Sequence, residues 1–97
     1  MVESLTIKVK SNLSLGNAGE LKRELTDALN NGIKSVVLDF AGTELVDSSG
    51  LGKLLLFSEK FKEIGGELKI VKVGSKDVAE LFRLINLARF IKIDYQC

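Results

Sequence analysis

Between Val36 and Phe57 the chain reads VVLDFAGTELVDSSGLGKLLLF, an apolar run, a short polar loop and a turn of small residues that opens into a long amphipathic segment. Val36, Val37, Leu38 and Phe40 are interrupted only by Asp39, a pattern that predicts a short strand buried on both faces. Gly42 breaks it. Asp47, Ser48 and Ser49 then supply side chains of the kind that cap helices, and the residues from about Ser49 to Ile64 take helical spacing. A pair of serine hydroxyls is thereby expected at a helix N-terminus, where the first N–H groups lack partners and the macrodipole adds positive charge. Anions are stabilised at such a place.

The rest of the chain supplies support for that turn. Leu5, Ile7 and Val9 alternate with Thr6, Lys8 and Lys10, the period of a strand with one wet face near a sheet edge. Residues 11–16 read as a loop. Asn17 with Glu20 has the form of a capping box, and Leu21, Leu25, Ala28 and Leu29 form an apolar stripe that Asn30, Asn31 and Gly32 end. In the second helix Leu51, Leu54, Leu55, Phe57, Phe61 and Ile64 share one arc toward the sheet, while Leu56 falls with Gly52, Glu59 and Lys60 on the exposed side. Exposed single leucines are common, so Leu56 reads equally as ordinary surface or as part of a docking face. Gly52 costs about 1 kcal/mol against alanine inside a helix, which suggests either close approach of another backbone or tight internal packing.

Gly65 and Gly66 stop that helix, Leu68, Ile70, Val71 and Val73 form the next strand, and Ser75 caps a third helix. Its stripe is Val78, Leu81, Phe82 and Ile85, widened by Leu84 and Leu87, before a last strand over Phe90–Ile93. The order βαβαβαβ predicts one α/β domain over 1–97, with a mixed, mostly parallel sheet of four to five strands packed with helices and sites near the carboxyl ends of strands.

Composition excludes several functions. The net charge is +1 and the lysines are dispersed, which argues against direct nucleic-acid binding. There is no histidine, and the lone Cys97 permits no internal disulfide. No metal site or cofactor is expected. MVESLTIKVK lacks a signal-peptide layout, and no apolar run approaches the ~20 residues needed to span a bilayer, so a cytoplasmic location without membrane insertion is expected. A serine hydrolase lacks its base, the GxSxG elbow lacks its first glycine at Val46, and Gly50, Gly52 and Lys53 do not match a phosphate-binding P-loop. A response-regulator receiver wants an acidic pair after the first strand, where this chain has Ser11 and Asn12.

Val46-Asp47-Ser48-Ser49-Gly50-Leu51-Gly52, following VVLDF, resembles the signature of the anti-sigma factor antagonists, a family of STAS domains. GGELKIVKV at 65–73 and VAELFRLINLARFIKI at 78–93 are similar to the family's later strand, helix and last strand. The resemblance implies a bacterial regulator of transcription. Its first motif serine, here Ser48, is phosphorylated by an anti-sigma factor that is also a serine kinase, and only the unphosphorylated form captures that partner and frees the sigma factor. A serine phosphatase resets it. Ser49 is the second candidate for the phosphate, and Asp47, Ser48, Ser49, Gly50, Gly52 and Leu56 are the expected partner contacts. Family members often carry acidic residues in the first loop, where this chain has none over 11–16. That departure favours an alternative: a STAS-like subunit that docks an ATPase of a membrane transport complex constitutively, with Ser48 never modified.

The magnitudes suit a switch. A phosphoryl group on Ser48 gains about 0.3–1 kcal/mol from the helix dipole, and repulsion from Asp47 nearly cancels this. Modification therefore need not unfold the domain, yet it adds a charge of about −2 to any docking surface. Self-association is left open by the sequence.

Overall fold

A computed structural model describes residues 4–96; Cys97 and the first three residues of the N-terminal segment read above lie outside it. In chain order the elements are β1 Ser4–Lys8, β2 Asn12–Leu13, α1 Ala18–Asn30, β3 Ser35–Asp39, β4 Leu45–Val46, α2 Ser48–Glu63, β5 Glu67–Val73, α3 Lys76–Leu84, a 3₁₀ turn Leu87–Arg89 and β6 Lys92–Tyr95. The main sheet has the order β1-β3-β5-β6, and all three pairings are parallel. Each connection passes through a helix and moves one place in the same direction. Right-handed crossovers therefore set α1, α2 and α3 on one face of the sheet.

Burial follows from that layout. Ile7, Val36, Leu38, Leu68 and Ile70 are buried under the helices, while their neighbours Thr6, Lys8, Val37, Asp39, Lys69 and Val71 are exposed or half-buried. The expectation that β3 is buried on both faces is thus corrected, because among the described residues no helix covers the second face. One hydrophobic cluster joins the sheet to all three helices, and Phe40 meets Phe82 of α3 edge to face at 5.8 Å. β5 carries a bulge at Lys72, whose φ of 60° marks the extra residue; it returns Val73 to the core.

Several sequence expectations change for local reasons. Asn17 forms no capping box: its side chain makes no cap bond to α1 and serves the preceding loop, while Glu20 pairs with Lys10 at 2.7 Å. The buried stripe of α2 is Gly50, Leu54, Phe57, Ser58 and Phe61. Leu55 lies off that stripe and Ile64 is the residue that ends the helix, so both are exposed. Ser58 Oγ instead donates to the Phe90 carbonyl at 3.0 Å, a buried polar contact that the apolar spacing did not suggest. α3 ends at Leu84, which is 84% exposed, because Asn86 turns left-handed (φ 55°) and starts the 3₁₀ turn that buries Leu87. Phe90 closes that turn rather than entering β6, and is exposed.

Candidate functional site

The expected serine turn lies at the carboxyl end of β3, raised on a small second ladder. β2 and β4, two residues each, pair in parallel as Asn12↔Leu45 and Leu13↔Val46. Glu44 N donates to Ser11 O at 2.7 Å and Asp47 N to Leu13 O at 3.1 Å, extending that ladder at both ends. Beneath it Thr43 is buried, its hydroxyl donating to the Lys10 carbonyl at 2.8 Å and its N–H to Phe40 O at 3.0 Å. The residues before the turn are thereby fixed against the loop that follows β1.

Asp47 is the N-cap of α2. One carboxylate oxygen, Oδ1, accepts from Gly50 N at 2.9 Å, the usual capping bond. The other, Oδ2, accepts from Leu15 N at 3.0 Å, 32 positions earlier in the chain. The Gly50 N–H first, and then the Leu15 N–H, hold the Asp47 carboxyl below its ordinary value of 3.8, since both bonds favour the charged form. A carboxylate so engaged is the opposite of a base poised near neutrality, so Asp47 is not placed to activate a serine nucleophile.

Ser48 is the first residue of α2 and is exposed; Ser49 is half-buried. Gly50 is buried where the helix crosses β2. A Cβ there would run into the Leu13 carbonyl oxygen and lie 2.7 Å from Leu13 Cγ, so only glycine lets the two segments meet. Gly52 is different. Nothing lies within 4 Å of its would-be Cβ, which rules out tight internal packing as the reason for a glycine. Leu56 is exposed, as its helical angle implied.

The structure also gathers residues that the sequence reading did not assign to the site. Leu15 is 79% exposed on the loop tied to Asp47, Leu45 is 55% exposed on β4, and Leu55 follows Ser48 by two helical turns. With Leu56, four exposed leucines are contributed by the segments that meet at Ser48. Their signal was faint: Leu13 and Leu15 are two apart in a polar loop, one turned in and one left out. Among the described residues no group of three His, Cys, Asp or Glu side chains could hold a metal ion, and no helix is long and apolar enough to cross a membrane.

Comparison with known proteins points one way. The STAS domain family model matches residues 2–96. BtrV of Bordetella bronchiseptica, named provisionally as an anti-sigma factor antagonist, is 31% identical over 68 residues, which take in 70% of this chain and 58% of that protein. The crystal structure of TM1081 from Thermotoga maritima, also named provisionally as an anti-sigma factor antagonist, superposes with a TM-score of 0.79 at 26% identity, over 95% of this chain and 80% of that one. SpoIIAA of Bacillus, an anti-sigma factor antagonist solved in phosphorylated and unphosphorylated forms, shares the fold with a TM-score of 0.74 at 16% identity; its unphosphorylated form aligns over 96% of this chain and 80% of its own.

Proposed function

The chain belongs to the STAS domain family, and from that premise we propose that it is an anti-sigma factor antagonist switched by phosphorylation of Ser48. The observation that carries this reading is the exposed Ser48 hydroxyl at the first turn of α2, with exposed leucines on the segments around it. In the unphosphorylated state Asp47, Ser48, Ser49, Gly52 and Leu56 dock an anti-sigma factor that is a serine kinase, with Gly50 keeping the turn seated on β2. The sigma factor is released. That kinase supplies ATP, Mg²⁺ and the base; the γ-phosphoryl passes to Ser48 Oγ and ADP leaves. Ser49 is the second acceptor.

A charge of about −2 inside an apolar contact costs several kcal/mol, and ~5.5 kcal/mol is enough to move a population from 99:1 to 1:99. Phosphorylation therefore ends capture, and a serine phosphatase restores it. Residues 1–97 form one domain, which acts in the cytoplasm without contact to DNA. Names of relatives support the family's role, and the occurrence of SpoIIAA in both phosphorylation states shows for SpoIIAA that this fold is modified.

The test is intact-mass spectrometry with site mapping on protein isolated from its native cells, growing and stressed, together with capture of the kinase by variants. One phosphoryl group on Ser48 whose occupancy changes with condition is expected. Ser48→Ala should retain capture, whereas Ser48→Asp should weaken it by about a hundredfold. A single unmodified mass in every condition, with capture intact in Ser48→Asp, overturns the proposal and leaves a constitutive docking subunit.

A further inference from the structure

The Asp47 carboxylate does two jobs at once: Oδ1 caps α2 through Gly50 N, and Oδ2 holds the loop of residues 11–16 through Leu15 N. That loop is pinned from its other side by Asn17, whose Oδ1 accepts from Ser14 N at 2.9 Å and whose Nδ2 donates to Asn12 O at 2.6 Å. Packing adds little at Leu15 itself, since its side chain is mostly in solvent and nothing lies within 4 Å of a Cβ placed on Gly16. Ser14 is held independently, its carbonyl accepting from Asn17 N at 3.0 Å and Ala18 N at 2.7 Å, so the hydrogen bond to Asp47 acts on Leu15 and Gly16 themselves.

We propose that Asp47 is a positioning residue that relays the state of Ser48 to Leu15, so that a negative group on Ser48 loosens the Oδ2 bond and frees Leu15 and Gly16, the tip of the loop between the paired Leu13 and α1. The inference rests on Ser48 being the modified residue, and it gives the switch a second output besides added charge. Ser48 follows Asp47 directly, so a phosphate there repels the carboxylate and competes for the same backbone donors at the helix end. Oδ1 is held within one turn of helix and keeps its donor. Oδ2 bonds the exposed tip at Leu15 and Gly16, which has little packing to hold it, and it yields first. Two effects then act together against a partner: the charge arrives and one exposed leucine leaves.

Amide hydrogen exchange on the isolated chain tests this without any partner. Asp47→Asn retains a good N-cap oxygen but turns an NH₂ donor toward Leu15 N–H, so it separates the two jobs. Leu15 exchange is expected to rise about tenfold in that variant, the loss of one charge-assisted hydrogen bond, while Gly50 exchange stays within about twofold. Ser48→Asp should raise Leu15 exchange in the wild-type background and add nothing in the Asp47→Asn background. If Asp47→Asn does not fold, Asp47→Ser, a cap too short to span both segments, makes the same measurement. An unprotected Leu15 amide in the wild type, or a Ser48→Asp effect that persists without the carboxylate, overturns the relay. Failure of the phosphorylation reading appears instead in native mass and kinase capture, so the two outcomes are distinct.

Discussion

Gly50 and Gly52 stand two residues apart in the same helix and are alike as letters, yet the fold gives them opposite surroundings. Gly50 faces inward onto β2, where Leu13 leaves no room for a Cβ; Gly52 faces solvent with open space around it. The first is a condition of the architecture. Because it lets α2 sit directly on β2, it places Asp47 within reach of both Gly50 N and Leu15 N. The second costs the helix stability without any return inside the chain, so whatever favours glycine there lies outside it. A backbone brought close to the exposed face by a docked partner is such a cause, which fits the proposed role of Gly52.

The harshest way to test that contrast is Gly50→Ala. The methyl group would collide with the Leu13 carbonyl, a backbone atom that moves only if β2 shifts, and overpacking of this kind costs about 1–3 kcal/mol. Urea unfolding should show the loss, and the turn should be disturbed along with it. A neutral result would mean that β2 is not seated on α2 as described.

Gly52→Ala should move stability the other way, by up to ~1 kcal/mol of gain, because the helix interior favours alanine and nothing obstructs the methyl group. Its partner affinity should nonetheless fall. The split between a more stable chain and a poorer binder would sharpen the comparison; a variant both more stable and equally competent would remove Gly52 from the docking face.

How far the sequence alone reaches is visible in the same elements. Alternation in β1 and the αβ rhythm were sufficient to place β1, β3, β5 and all three helices, since each buries one face over several residues, whereas the last strand starts at Lys92 rather than Phe90 because the 3₁₀ turn intervenes. The turn was legible too, because Asp47, Ser48 and Ser49 follow an apolar run and precede helical spacing. β2 and β4 were not, being two residues each and too short for any period to show. Asn17 and Asp47 make the point about caps. Both are good cap residues by type, but Asn17 is spent on Asn12 and Ser14, and Asp47 serves its helix and a loop 32 positions away. Propensity names the residue; only the meeting of β2 with α2 decides which donor it finds. The same holds for Leu15, Leu45 and Leu55, which gain meaning from lying exposed on the three segments that converge on the serine turn.

The smallest effect concerns the acid side, and it acts at Gly50 rather than Gly52. Asp47 titrates below its ordinary value in the folded chain because the Gly50 and Leu15 N–H groups bond its charged form. A carboxyl whose folded pKa is depressed contributes stability that is present above the unfolded value near 3.8 and is lost as pH falls through the lower folded value. Glu20, lowered chiefly by its bond to Lys10, shifts in the same sense, so wild-type acid sensitivity alone does not isolate Asp47. The difference between wild type and Asp47→Asn does, because Glu20 is common to both. Urea midpoints should differ by a constant amount from pH 7 down to about pH 5, and the gap should narrow below pH 3.8 as the wild-type carboxyl takes up its proton. A gap of constant size across that range would mean that the charge on Asp47 adds nothing beyond an oxygen in the right place, and an asparagine would then serve the cap at Gly50 as well.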